Sequence, residues 1–245
     1  MKHASNKPVG MRDADLSAPG GEHAAAVLGL WRGSLGRTVR CVPTRRTVMV
    51  ESGGQTLYAK LYRGRQPGAA AEWRWLHLLP MLAIAAPQPV ARMAARGRSM
   101  VVMAALPGRS LDAWLLDAAR EGWLDDLARV VTGPVAALVG RLFAQGLVHR
   151  DLNCAHLWVD EPRGAARVAL LDLERVFRPA WRWRRWVVKD LAALLASSPV
   201  PVPLRVAVRF VRACLPDTWP AQRRELFAAV AKKARRVAGR RPRFG

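Results

Sequence analysis

The chain is poor in cysteine, in acidic residues and in long apolar runs, and each shortage closes off a class of protein. Cysteine occurs only as Cys41, Cys154 and Cys214, an odd number with no CxxC spacing. A disulfide framework and a structural zinc site are therefore not expected, and a reducing compartment is the simplest reading. Asp and Glu number 18 against 40 Lys and Arg, a formal net charge of +22. Such an imbalance favours anionic partners: nucleotides, nucleic acid or an acidic membrane surface. Helix-turn-helix, zinc-finger and RNA-binding signatures are absent, which makes nucleic acid the weakest of the three. The longest apolar stretches, such as Ala24 to Trp31, fall far short of the roughly 20 residues a helix needs to cross a bilayer. The chain start lacks the basic, apolar and cleavage regions of a signal peptide. There is no internal repeat and no G-x-G-x-x-G loop.

What is present is a chain of 245 residues, 51% of them hydrophobic, enough for one large domain or two lobes around a cleft. Residues 1–22 mix Ser, Pro, Gly and charge without periodicity and read as a flexible leader. A strand-rich region runs from Arg37 to Tyr62: Thr47 to Val50 is one strand, Glu51-Ser52-Gly53-Gly54 a turn, and Thr56 to Tyr62 a second strand. In that second strand Leu57, Ala59 and Leu61 share one face, and Tyr58, Lys60 and Tyr62 the other. The spacing of Glu72, Trp73, Leu76 and Leu79 predicts a helix over 69–79. Ser99 to Ala105 reads as a buried strand, and Ser110 as the N-cap of a helix that begins at Leu111. A longer helical pattern from Leu127 to Gln145 leads into a loop at His149. Short strands at 157–159 and 167–171 follow, and then mostly helix. Strands first and helices after predict an α+β chain: a small β-rich N-lobe over 23–105, and a larger helical C-lobe over 106–220 that carries the loop.

One stretch carries chemistry in its residue types. Leu147-Val148-His149-Arg150-Asp151-Leu152-Asn153 resembles the kinase catalytic loop H-R-D-L-x-x-x-N, in the expected setting after a helix and before a strand. Phosphoryl transfer asks a protein for positioning, for neutralised phosphate charge and for an acceptor of the attacking hydroxyl's proton. Asp151 suits the last of these. Asp172 lies 21 residues further on, at a strand end in Leu171-Asp172-Leu173-Glu174-Arg175. It resembles the Mg²⁺-holding DFG aspartate without its Phe-Gly. Lys60 resembles the strand lysine that reaches ATP phosphates, with Glu72 as its partner on the next helix. Asp190 sits on a later helix, where kinases place an Asp that braces the catalytic loop. Met103 to Leu106, with Met103 and Ala105, takes the place of the hinge that meets adenine by its backbone.

The order of these pieces is more specific than any one of them. Arg45-Arg46-Thr47, Gly53-Gly54, Tyr58 to Gly64, Ala71-Glu72-Trp73, His149-Arg150-Asp151 with His156, Asp172-Leu173 with Arg175, and Trp186 to Leu194 together resemble the bacterial lipopolysaccharide kinases. The likeness runs over about 43–198. It implies a two-lobed protein-kinase-like fold, ATP and Mg²⁺ as cofactors, and a sugar hydroxyl of the lipopolysaccharide core as acceptor at the cytoplasmic face of the inner membrane. Carried over by position, Lys60 and Glu72 serve ATP, Asp151 catalysis with His149 and Arg150 beside it, and Asp172 the metal. Gly53-Gly54 is the only glycine pair available to cover phosphates. His156 stands where protein kinases have a metal-binding Asn. Imidazole is a poorer Mg²⁺ ligand than an oxygen, so His156 is either a ligand or structural, with Asn153 or water completing the shell. A histidine here favours the heptose-kinase branch over Kdo kinases.

Two basic segments add a surface. Arg178 to Lys189 interleaves Arg178, Arg182, Arg184, Arg185 and Lys189 with Trp181, Trp183 and Trp186. The last 25 residues, 221–245, hold nine Lys or Arg and one acid, Glu225. There Leu226, Phe227, Val230, Ala234 and Val237 share a helical face. Two readings stand side by side: a membrane-surface helix on anionic lipid, or a basic helix that packs its apolar stripe on the domain. An atypical protein kinase is an alternative, weakened by the missing A-P-E. An inactive kinase-fold scaffold is another, weakened by the intact Lys60, Glu72, Asp151 and Asp172. No residue pattern in the chain specifies an oligomeric state.

Overall fold

The computed structural model of the protein describes residues 21–64, 68–95, 97–215 and 223–239. Most of the expected leader and the end of the basic tail lie outside the described residues. The chain forms two compact units, one of Met1–Ala69 with Val90–Met103, the other of Ala70–Pro89 with Ala104–Gly245.

The first unit is built on a five-stranded antiparallel sheet. Its strands are β1 (Arg37–Val42), β2 (Arg45–Ser52), β3 (Gln55–Arg63), β4 (Pro89–Ala95) and β5 (Arg98–Ala104), in the order β1-β2-β3-β5-β4. Gly53 and Gly54 join β2 to β3 in a two-residue turn with φ of +56° and +72°. Two positive φ values mark the type I′ hairpin, whose twist matches its strands. β-Branched Thr47, Val48 and Val50 suit the pleat on one side of that turn. The pairing runs unbroken from Ser52↔Gln55 to Arg45↔Tyr62. Helix α1 (Ala24–Arg32) buries Val27 and Leu30 and packs on β2. Its end is fixed by Arg98, whose guanidinium stacks 3.9 Å over the Trp31 ring. The alternation expected for β3 holds at Leu57 and Ala59 and then slips: Tyr62 is buried where Leu61 was expected. The Tyr62 ring is covered by the backbone of Gly68, where any Cβ would come within 2.4 Å of it. The β4 strand opens on a proline, with Pro87 just before it, a pattern that hides a strand in the sequence. Proline is tolerated at the first residue of an edge strand, which is where Pro89 lies.

The second unit is mainly helical. It contains most of α2 (Gly68–Met81), then α3 (Leu111–Glu121), α4 (Leu124–Val130), α5 (Ala136–Ala144), α6 (Trp183–Ala196), α7 (Leu204–Cys214) and α8 (Arg223–Ala238). A three-stranded sheet of β6 (Arg109–Ser110), β7 (Leu157–Asp160) and β8 (Arg167–Leu170) completes it. Ser110 precedes α3 as expected, but its hydroxyl makes no capping bond; the residue pairs with Trp158 of β7 instead. A π turn at Val131–Val135 links α4 to α5. Pro134 brings no N–H to the ladder there, which loosens the α register without ending the helix. The resulting Leu124–Ala144 helix is long and apolar enough to cross a bilayer by length and composition. Asp125, Asp126, Arg129 and Arg141 interrupt its apolar residues, so the sequence shows no unbroken apolar run of that length. Its buried face (Leu127, Leu138, Val139, Leu142, Phe143) packs within the helical unit, in part on α7.

Helix α8 bears on both readings of the basic tail. Leu226, Val230 and Ala234 are buried and the helix packs on α6. Most of the apolar stripe thus meets protein, as the packing reading expects, and Val237 at its far end is exposed. The basic residues Arg224, Lys232, Arg235 and Arg236 face solvent.

Candidate active site

The chain leaves α5 through Gly146, in the left-handed conformation at φ +67°, and enters a two-residue antiparallel bridge. There Val148 and Phe177 exchange backbone hydrogen bonds of 3.0 and 3.1 Å. Phe177 in turn packs edge-on against Trp186 of α6, 5.1 Å between ring centres. The loop is thereby hung between α5 and α6 before its first polar residue.

Asp190 of α6 fixes that loop from beneath. It is fully buried, and its Oδ2 accepts from the backbone N–H of His149 at 2.7 Å and of Arg150 at 3.1 Å. Burial pushes the carboxyl up to about 6, against the lowering pull of those two N–H donors. The pinned backbone forces Arg150 to φ +69°, a conformation that side-chain-bearing residues adopt only when their surroundings impose it. Lys189, next along α6, donates from Nζ to the Arg150 carbonyl at 2.6 Å.

His149 is equally buried, with Nε2 2.8 Å from the Leu171 carbonyl. A carbonyl only accepts, so Nε2 carries the proton and the bare Nδ1 has no partner. Burial first, and then the neighbouring His156, lower this ring to about 4. His149 is thus a neutral strut between the loop and the end of β8, not an acid or base in its own right.

Asp151 differs from both. Its side chain is 46% exposed, and Oδ2 lies 3.5 Å from Nη1 of Arg175. Its backbone carbonyl is held by His156, whose Nδ1 donates to it at 2.8 Å. That bond sets the His156 tautomer: in the neutral ring Nε2 holds the lone pair, and this atom lies 3.4 Å from Oδ2 of Asp172. Two electron-rich atoms facing each other at that distance suit a shared proton or a shared cation. Asn153 uses its amide differently. Its Oδ1 accepts from the His156 N–H at 3.1 Å and caps the short 3₁₀ turn Cys154–His156.

Asp172 follows β8 with φ +57°, a second strained non-glycine residue. The Leu171 N–H donates to the His156 carbonyl at 2.9 Å, so the β7–β8 hairpin sets Asp172 beside the catalytic loop. The next 3₁₀ turn, Leu173–Arg175, brings Glu174 round. Glu72 of α2 is fully buried, its Oε1 3.4 Å from the Leu173 N–H. Carboxylate oxygens of Glu72, Asp172 and Glu174 all lie within 4.8 Å of one another. Three hard oxygen donors are the ligand chemistry of Mg²⁺, so the residues present fit the implied metal.

The second unit therefore gathers Asp151, His149, Arg150, Asn153, His156, Asp172, Glu72 and Asp190. Ala105 follows β5 in the same unit, and Ala104 beside it donates its N–H to Gln88 at 2.9 Å. Lys60, Gly53, Gly54 and Met103 belong to the first unit. Lys60 is half-buried on β3 opposite Thr47, and Met103 is buried on β5. Sequence reasoning missed Glu174 and Lys189 as site members. Glu174 carried a signal, a second acid two residues after Asp172. Lys189 carried none, because only the α6 packing turns its ammonium to the loop.

The family model of lipopolysaccharide kinases (Kdo/WaaP) matches residues 31–213. The lipopolysaccharide core heptose(I) kinase WaaP of Pseudomonas aeruginosa is 28% identical over 239 residues, covering 86% of this chain and 89% of that protein. Among solved structures, WaaP in complex with acyl carrier protein is 26% identical with a TM-score of 0.68, over 83% of this chain and 89% of that one. An aminoglycoside-3'-phosphotransferase of type VIII, 20% identical with a TM-score of 0.53 over 86% of this chain and 99% of that one, shares the fold. The α+β architecture is thus protein-kinase-like. With the family match spanning the sheet, the loop at Asp151 and the strand end at Asp172, the chain belongs to the lipopolysaccharide kinase (Kdo/WaaP) family and is an ATP-dependent phosphotransferase acting on a sugar hydroxyl.

Proposed function

We propose that the protein transfers the γ-phosphoryl group of ATP to a heptose hydroxyl of the lipopolysaccharide inner core, at the cytoplasmic face of the inner membrane. One observation carries this reading. Asp151 presents a half-exposed carboxylate from a loop whose backbone is tied down by buried Asp190 and neutral His149. A base held that way can orient an incoming hydroxyl and take its proton as the oxygen attacks phosphorus. Arg150 shapes the loop through its strained backbone. Asp172, Glu72 and Glu174, with the lone pair of His156, would hold Mg²⁺; when bound, the ion neutralises phosphate charge. Lys60 is assigned to the ATP phosphates, with Glu72 also serving ATP, the Gly53-Gly54 turn to close backbone approach, and the backbone of Met103 to Ala105 to adenine. Heptose is preferred to Kdo as acceptor because the loop carries His156, as the heptose-kinase resemblance implies, and the relative at 28% identity is a heptose(I) kinase.

The test is transfer of labelled γ-phosphate to core glycolipid from cells that lack heptose kinase. Asp151→Asn should lower turnover by about 10²–10⁴-fold with an unchanged melting temperature. Turnover equal to that of the unaltered enzyme would remove Asp151 from its role.

An acyl carrier protein is a second proposed partner, on the strength of the solved WaaP complex. The helical unit contains an apolar chamber of about 140 Å³ bordered by Leu115, Val131, Leu194, Val206 and Phe210. Its chemistry suits a fatty chain. Acylated carrier protein should raise the melting temperature more than the unacylated form does; equal shifts would count against a chain-binding chamber.

A further inference from the structure

Beside the catalytic loop lies a concavity of about 660 Å³ whose lining carries seven cationic side chains and no carboxylate. Arg150 comes from the loop itself and Arg175 from the turn after Asp172. The start of α6 supplies Arg182, Arg184, Arg185 and Lys189, and α8 adds Lys233. Partners are few. Arg175 faces Asp151, and Arg184 lies 3.1 Å from Glu225, both pairs being exposed to solvent. Among the described residues, no carboxylate comes within ion-pair distance of Arg182, Arg185, Lys189 or Lys233. The first turn of α6 contains no acid, so its cations also oppose the positive end of the helix dipole. Burial, followed by the charges of Arg175 and Arg150, pulls the Lys189 ammonium below its ordinary range, with Asp190 acting in the other direction. A concavity of like charges is electrostatically unfavourable until an anion fills it.

The shape and the floor of the concavity point to what that anion is. Trp186 lines it, with Lys189 Nζ 5.6 Å and the Arg185 guanidinium 5.8 Å from its ring. An indole face flanked by cations suits a sugar ring that bears an acidic substituent, with the ring on the indole and the charge on the guanidinium. Arg175 spans both places: it borders the concavity and lies 3.5 Å from the Asp151 carboxylate. An anion seated here is therefore within one side chain's length of the group that meets the acceptor hydroxyl.

We propose that this concavity is the acceptor subsite for an anionic group, a carboxylate or a phosphate monoester, carried by the glycolipid near the hydroxyl that is phosphorylated. The proposal rests on the kinase reading above and sharpens it. The enzyme selects an acceptor by charge next to the hydroxyl, and a neutral sugar of the same shape is a poor substrate. Arg182 and Arg185 supply the selective contacts, and Arg175 relates the occupied subsite to the base.

The experiment uses core glycolipid from heptose-kinase-deficient cells in three forms: native, stripped of phosphate monoesters, and with its carboxylates reduced to alcohols. Binding is measured without ATP, by co-sedimentation with the full-length protein at one ionic strength, and transfer separately with labelled ATP. The native form should bind and react with an affinity and KM better by about tenfold or more than one of the two neutralised forms, the effect of losing a charge-assisted contact. Whichever form loses the advantage identifies the group as carboxylate or phosphate. In Arg182→Gln/Arg185→Gln, both exposed positions that leave the core intact, native and neutralised forms should bind alike while the KM for ATP holds. Equal binding of all three forms by the unaltered protein would overturn the subsite. So would a double variant that keeps full discrimination, or one that loses only its affinity for acyl carrier protein. If discrimination in binding is present and transfer fails with every form, the subsite stands and the kinase reading falls.

Discussion

Asp190 and His149, joined by the His149 N–H to the Asp190 carboxylate, meet at the root of the catalytic loop with opposite protonation preferences. The Asp190 carboxyl titrates at about 6 in the fold, above its ordinary 3.8, so the folded chain holds a proton that the unfolded chain has already lost. Its contribution to stability is present below about pH 4 and is lost as pH rises through 6. The His149 ring titrates at about 4, below its ordinary 6.5, so the unfolded chain takes up a proton first. Its contribution is present above 6.5 and is lost as pH falls toward 4. Each shift is on the order of 3 kcal/mol, and the two nearly cancel across the same window. Asp190→Asn should unmask the histidine, giving a melting temperature that drops more steeply than that of the unaltered protein between pH 6.5 and 4. His149→Gln should unmask the aspartate and make the melting temperature rise on acidification from 6 to 4. Parallel curves for all three proteins would contradict both assignments. The cysteines make a simpler case. Burial raises the Cys154 thiol to about 11 and lifts Cys214 well above its ordinary range, whereas Cys41 is exposed. Iodoacetamide at pH 8 should label Cys41 alone in the folded protein, as mass spectrometry would show.

Elements differ in how much of themselves they write into the sequence. The β2–β3 hairpin is written locally: two glycines, both at positive φ, between alternating strands. A Cβ on Gly54 would meet nothing within 4 Å, so Gly54→Asn, which tolerates the left-handed conformation, should leave stability within about 0.5 kcal/mol. If the turn approaches ATP phosphates, the same change should raise the KM for ATP severalfold; an unchanged KM would confine the pair to turn formation. The catalytic loop was legible for a similar reason. His149, Arg150 and Asp151 are contiguous, Asp172 follows a strand end, and Asp190 lies within a helix that periodicity locates. What escaped depended on tertiary placement. The third carboxylate, Glu174, joins Glu72 and Asp172 only because a 3₁₀ turn follows the strained Asp172. Tyr62 turns inward only because Gly68 lies across it. The π turn at Pro134 is invisible to a helical pattern that reads the same with or without it.

At the scale of the whole molecule the dominant quantity is the net charge of +22, and the question is what α8 contributes to it. Because Leu226, Val230 and Ala234 are buried and α8 packs on α6, deleting the helix would strip a wall from the helical unit as well as remove cations. Lost binding after such a deletion would say nothing about charge. The two contributions separate by substitution. Leu226→Ala should destabilise the protein by about 2–5 kcal/mol, read from denaturant unfolding, because it empties a fully buried site. Arg224, Lys232, Arg235 and Arg236 are exposed, and replacing all four by Gln removes charge without touching the stripe. That variant should melt within a few degrees of the unaltered protein. It should bind vesicles rich in anionic lipid more weakly, with a shallower dependence on salt between 50 and 200 mM, where the Debye length shrinks from roughly 14 to 7 Å. A fourfold-neutralised protein that binds anionic vesicles with unaltered affinity and salt slope would place the attraction elsewhere on the cationic surface, and α8 would then be a packing helix alone.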